Sequence, residues 1–211
     1  GLNPQGTKSQ RIIAERGQKT IGMKRSNPRE NVTIVAMINA AGVKMTPLFI
    51  FKGQGVQATW VCNPRPRKSL YTATDSSFMQ GPVYLDFMRR FTELVAERGL
   101  DDGKPHALLL DGHASHVSSD VLKYARHNNI HLFQLPLHSS HIAQPLDVCA
   151  FGMFKRQMTE ALTSFPGKNG MRMPITCDIA SLVSDCWETV FTQANILVSF
   201  SGAGIFPLNK E

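Results

Sequence analysis

The chain has no run of apolar residues long enough to span a bilayer and no signal-peptide pattern at its start, so neither a membrane anchor nor secretion is expected. It has little cysteine: Cys62, Cys149, Cys177 and Cys186 are widely spaced, and no CxxC occurs. Such spacing reads as buried, reduced thiols rather than a disulfide frame, which points to the nucleus or cytosol. Acid is scarce at one end, where Glu15 and Glu30 are the only acidic residues among the first 74. Histidine is missing everywhere except one window, since all seven lie between His106 and His141. There is no internal repeat and no low-complexity tract. Carboxylate chemistry must therefore come chiefly from the second half of the chain, and imidazole chemistry from its middle.

What is present fits one domain. The 211 residues have room for a substantial core, and the net charge of +7 is compatible with a polyanionic partner. The basic residues are concentrated. Lys8, Arg11, Arg16, Lys19, Lys24, Arg25 and Arg29 fall in the first thirty positions, and Arg65, Arg67 and Lys68 form a trio near Trp60 and Tyr71. Basic and aromatic residues together can track a nucleic-acid backbone. The plainer reading is a solvated surface with Trp60 as a packing anchor.

The chemistry concentrates in residues 106–155, HALLLDGHASHVSSDVLKYARHNNIHLFQLPLHSSHIAQPLDVCAFGMFK. Ala107 to Leu110 is a short apolar run ended by Asp111 and turned by Gly112, which predicts a buried strand with Asp111 at its carboxyl end. Ser118 or Ser119 can cap a helix over Asp120–His127 with Val121, Leu122 and Ala125 inward. Ile130–Leu137 reads as a second strand. Pro145 suits a first helical position, and Val148, Phe151 and Phe154 follow, so Asp147 falls in a helix's first turn, where the dipole favours a carboxylate. A parallel strand pair with a crossover brings both carboxylates toward one pocket. The alternative is that each merely caps backbone N–H groups.

DGHASH followed by LPLHSSHIAQPLDVCAFGMFK resembles the DDE superfamily of transposase nucleases, in the pogo/Tigger/jerky branch that includes centromere-binding protein B. That branch has a strand ending in DxHxSH and then an LPPHSSHxxQPLDxxxFxxxK block. Leu137 stands where the family usually has a second Pro. Thirty-five residues lie between Asp111 and Asp147, a spacing favoured in the mariner-related group. The resemblance covers nearly all of residues 1–211, although only 106–155 is sharply diagnostic. It implies an α/β fold, a ribonuclease-H-like mixed sheet flanked by helices and lacking its first strand. It also implies metal-dependent DNA cleavage and strand transfer, with Asp111 and Asp147 holding Mg²⁺ or Mn²⁺, and a nuclear protein whose partners are DNA and a second copy of itself, with no small-molecule cofactor. Gly1 matches the end of the family's Asp-Glu-Thr-Gly-like motif, so the first catalytic carboxylate is expected just upstream. This polypeptide alone is then not expected to cut DNA efficiently. The family's helix-turn-helix module is not recognisable here. The C-terminal Gly204-Ile205-Phe206-Pro207 matches its Gly-Ile-x-Pro-like ending.

The remaining chain reads as follows. Arg11–Ala14 and Lys19–Gly22 suit two edge strands joined near Gly17. Asn31–Ala40 and Met45–Phe51 form a hairpin turned at Ala41-Gly42, with Pro47 marking an edge or bulge. Residues 53–66 read as loop. Ser76–Gly99 is a helix with Val83, Phe87, Phe91, Leu94 and Val95 inward and Gly99 as its stop. The Asp147 helix should run to about Ser164, followed by a loop over Phe165–Pro174. Asp178–Gln193 and a turn or two at Asn195–Phe200 complete the helices.

Two Mg²⁺ ions held by a few carboxylates would serve phosphodiester chemistry. Asp111 and Asp147 supply two ligands; neither Glu15 nor Glu30 ends a central strand. Lys155, eight residues past Asp147, lies on roughly the same helix face and within reach of a phosphate, or is an ordinary surface lysine. The pairs His113/His116 and His138/His141 open a rival. Each follows one strand, and together they suit a four-histidine zinc site, although structural zinc usually includes cysteine. Otherwise they brace the loops, orient a carboxylate or touch a phosphate. A rival of another class is a domesticated, non-catalytic nuclear DNA-binding or protein-interaction domain.

Overall fold

The computed structural model describes residues 31–61, 69–99, 102–112, 114–136 and 139–209. The expected strands at 11–14 and 19–22, the basic trio Arg65, Arg67 and Lys68, and the histidines His113 and His138 lie outside them.

The architecture is mixed α/β, with small sheets flanked by helices in a ribonuclease-H-like arrangement. Strand β1 (Thr33–Val35) pairs antiparallel with β2 (Leu48–Lys52), Thr33 opposite Ile50 and Val35 opposite Leu48. An isolated bridge from Ile38 to Lys44 extends this hairpin. The turn is closed by Asn39, whose Oδ1 accepts from the N–H groups of Ala41 (3.1 Å) and Val43 (2.9 Å). β2 is the central strand, and its Leu48, Phe49, Ile50 and Phe51 are all buried. A continuous apolar run of this kind requires cover on both faces. Pro47 stands just before β2 rather than at an edge, and its carbonyl accepts from the Leu70 N–H at 3.0 Å.

Beyond the region read as loop lies a strand that had not been expected. β3 (Leu70–Thr74) runs parallel to β2 and in register with it, Leu48 opposite Leu70 and Lys52 opposite Thr74. Trp60 and Tyr71 belong to the interior: Trp60 stacks on Phe51 (centroids 4.7 Å apart) and Tyr71 on Phe49 (5.2 Å). Their rings extend an aromatic ladder across the sheet, so the packing reading of Trp60 holds. Helix α1 (Gly81–Glu97) leads to β4 (His106–Leu110), and α2 (Ser119–His127) leads from β4 to β5 (Ile130–Gln134). β4 and β5 pair in parallel as a second sheet, His106 opposite Ile130 and Leu110 opposite Gln134. One expected sheet is thus two among the described residues, tied together by a shared core. That core sets Leu48 and Ile50 of β2 against Leu110 of β4, Tyr84, Phe87 and Met88 of α1, and Val121 and Ala125 of α2. The buried stripe of α1 therefore begins at Tyr84, with Val83 only partly covered. Leu122, expected inward, is 48% exposed, because α2 meets its neighbours through Val121 and Ala125 and ties Tyr124 Oη to Thr92 Oγ1 of α1 at 2.6 Å.

The other face of β2 is covered by α4 (Phe151–Lys168), α5 (Thr176–Val190) and α6 (Gln193–Gly202), with Phe49 and Phe51 among Phe154, Trp187, Phe191 and Phe200. α4 runs past its expected end and takes in Pro166. Burial of Phe165, with Arg172 over its ring at 4.9 Å and Asn169 donating to its carbonyl at 2.8 Å, holds that last turn. α5 begins at Thr176, earlier than expected, because the Asp178 carboxylate accepts from the Ile175 N–H (2.8 Å) and pairs with Arg172 through both oxygens.

Gly42 is the tightest point between the hairpin and the C-terminal helix. Its φ is +83°, and a Cβ there would lie 2.5 Å from Gln193 Cγ and 3.3 Å from Leu197 Cγ. Gly42→Ala is expected to destabilise the fold by about 1–3 kcal/mol from backbone strain and crowding. Urea denaturation of the two proteins measures the difference directly.

Candidate active site

Asp111 is placed by β4. Leu110 is buried, its carbonyl accepts from the Leu135 N–H at 2.9 Å, and the strand ends immediately before Asp111. The two parallel strands therefore finish abreast, and Asp111 projects from their carboxyl end as expected. Asp111 Oδ1 lies 2.8 Å from Nδ1 of His116, which belongs to a short 3-10 helix, Ala114–Val117. The His116 ring is packed in turn against the buried ring of Tyr84, centroids 4.3 Å apart. Burial, reinforced by the charge of Asp111, pushes the Tyr84 phenol well above its ordinary range, so it stays protonated.

Asp147 arrives from the opposite side. After β5 the chain forms a single helical turn, α3 (Ser140–Ala143), and then a π-helical turn over Leu146–Ala150 that continues into α4. Pro145 has helical dihedrals (φ −52°, ψ −39°), as expected of a helix start. The winding is wider than an α-helix's, however: the Phe151 N–H reaches back to the Leu146 carbonyl. Such π-turns cluster at functional sites because they re-aim side chains. α6 lies on this turn, and at Gly202 a Cβ would stand 3.1 Å from Val148 Cγ1. Glycine there lets the helix approach the turn that carries Asp147.

The electrostatics join the two halves. The Asp147 carboxyl is raised above the ordinary range, first by burial and then by the charge of Asp111, while Lys155 pulls it down. The charge of Asp111 is thus felt at Asp147. Asp147, Lys155, His141 and Ser140 line one open cleft of about 590 Å³. Lys155 also sits 5.9 Å from the centroid of the Phe151 ring. Of the sequence-expected site residues, the structure joins Asp111 to His116 and sets Asp147 with His141 and Lys155. Tyr84 and Gly202 were not anticipated, whereas Ser140 was expected only to brace the loop. Tyr84 was within reach of pattern reading, since positions 84, 87, 88 and 91 carry the helical period of a buried face.

The donor set fits a hard divalent cation in kind, because Asp111 and Asp147 are carboxylates and magnesium takes oxygen ligands while keeping several waters. It does not fit in number: among the described residues no three His, Cys, Asp or Glu side chains come together. Two members of the four-histidine zinc reading, His113 and His138, lie outside the described residues, and Nδ1 of His116 stands 2.8 Å from Asp111 Oδ1.

Comparison with known proteins bears on this geometry. The family model of the DDE superfamily endonuclease matches residues 29–165, well over half of the chain and the whole of the site. A curated relative, the MFS-type transporter clz9 of Cochliobolus lunatus, is 29% identical over 183 residues. The match takes in 87% of this chain but 20% of that protein, so the chain spans about one-fifth of the relative's length. Among the described residues, no helix is long and apolar enough to cross a membrane.

Because its folded-state value is raised, Asp147 favours the protonated fold. The stability this confers is complete below the ordinary carboxylate range and is lost as pH rises through the raised value. Asp147→Asn is therefore expected to melt higher than wild type at neutral pH, with the gain vanishing below about pH 4. Thermal melts of both proteins across that range check the sign.

Proposed function

The chain belongs to the DDE superfamily of endonucleases, and on that footing we propose that it is a transposase-derived catalytic domain of the pogo/Tigger/jerky branch, acting on DNA phosphodiesters in the nucleus. The observation that supports this reading is the electrostatic influence of Asp111, at the end of β4, on Asp147 of the π-turn, which shares a cleft with the cationic Lys155. Asp111 and Asp147 would hold Mg²⁺ or Mn²⁺, which when bound activates a hydroxyl nucleophile and stabilises the leaving oxygen. Lys155 offsets phosphate charge in the cleft, and Ser140 and His141 offer hydrogen bonds to phosphate oxygens. Water enters this open cleft freely, so DNA is held mainly through its phosphates, with an affinity that falls steeply as salt rises. The net charge of +7 supports such a partner.

A second reading is a domesticated domain that keeps the fold and binds DNA or protein without cutting. It is compatible with the described residues, in which no three His, Cys, Asp or Glu side chains come together.

Calorimetric titration of Mn²⁺ tests the first reading. Wild type is expected to give a binding isotherm that disappears in Asp111→Ala and in Asp147→Ala while both variants remain folded. Undiminished binding in both variants would contradict it, and no binding by wild type would favour the non-catalytic domain.

A further inference from the structure

α1 and α4 are the longest helices among the described residues, and they treat their cations differently. On α1, Arg89 pairs with Asp86 at 2.8 Å, and Arg90 pairs with Glu93 and Glu97 at 2.8 and 3.1 Å, so the surface charge is largely cancelled in place. On α4, Lys155, Arg156 and Lys168 are exposed, and none of them forms a salt bridge among the described residues. Glu160 is the only acid on that helix, and its other exposed positions hold glycine, threonine or serine. At Gly152 and Gly167 an added Cβ would meet nothing within 4 Å, so the helix backbone is open to close approach from outside.

Exposed cations are ordinarily just solvated. Position sets these apart. α4 continues directly from the π-turn that carries Asp147, and Lys155, in its second turn, lines the cleft. Lys168 closes the same helix about 20 Å further along the axis, at about 1.5 Å per residue. That distance is about six base-pair steps of about 3.4 Å, more than one phosphate in the cleft can cover. Unpaired bases would find no stacking platform there, because Phe154 and Phe165 are buried and Phe151 packs on the core.

We propose that the exposed face of α4, from Lys155 through Arg156 to Lys168, is a backbone track for duplex DNA that leads away from the cleft. Its contacts are to phosphates rather than base edges, so it adds affinity and orientation without sequence preference. This rests on the reading of the chain as a DNA-acting domain and extends it from the cleft to the flanking duplex. Glu160 opposes the track from the middle of the face.

Anisotropy titrations of a labelled duplex against NaCl, without metal, test this. Arg156→Gln/Lys168→Gln leaves Lys155 in place, and its log–log salt slope is expected to be shallower than wild type by about two on any duplex sequence. Lys123→Gln/Arg126→Gln removes the same charge from the exposed side of α2 and is expected to keep the wild-type slope. Glu160→Gln is expected to tighten binding by about two- to fivefold at low salt. A wild-type slope in Arg156→Gln/Lys168→Gln, or an equal loss in the α2 pair, would overturn the track and leave the DNA reading standing. Absence of salt-dependent duplex binding by wild type would overturn both. Should the α4 pair not fold, Glu160→Gln decides, and an unchanged affinity overturns the track.

Discussion

Burial of the Asp147 carboxyl, within the electrostatic reach of Asp111 and Lys155, is the constraint around which the site is arranged. Taking that charge out of water opposes folding and raises the carboxyl, and the charge of Asp111 adds to the cost. Lys155 relieves part of it from the same cleft. The remainder must be carried by packing elsewhere. A strained carboxylate at a mouth open to solvent is the electrostatic pattern on which the proposed metal and phosphate roles rest.

The packing that carries it is legible in β2. Phe49 and Phe51 point into the aromatic core under α4, α5 and α6, while Leu48 and Ile50 point into the core under α1 and α2. One strand thereby fixes both helical layers. The first layer delivers Asp111, because α1 braces Tyr84 and His116 behind it. The second delivers Asp147, because α6 presses on the π-turn through Gly202. Each carboxylate is thus positioned by a different core, and the site forms where the two meet. The curated relative carries a matching segment as one-fifth of its length, which is consistent with a module of this size recurring inside a longer protein.

Much of this was readable in the residues. The apolar run ahead of Asp111, the Gly112 turn, the α2 crossover and β5 follow from local pattern, and they suffice to predict convergence with Asp147. The π-turn was not readable, because the spacing of Leu146, Val148 and Phe151 suits a π-turn as well as an α-turn. α6, some fifty residues away, packs on this turn, a contact that local pattern does not reveal. β3 was masked by the glycines and prolines that precede it, although Tyr71, Thr72 and Thr74 are good strand formers. Phe165–Pro174 read as a loop, yet Phe165 is buried and α4 runs on through Pro166 despite the lost backbone hydrogen bond. Leu122 fits an apolar stripe on paper but sits one residue beyond the face that α2 buries.

The central claim is that two carboxylates from separate layers share one electrostatic site. Carboxyl-selective ¹³C NMR titration of metal-free protein tests it most directly. Asp147 should titrate above the ordinary aspartate range, fall toward that range in Asp111→Asn, and rise further in Lys155→Met. A titration of Asp147 in the ordinary range and indifferent to both substitutions would contradict the account, because the two carboxylates would then not share a site.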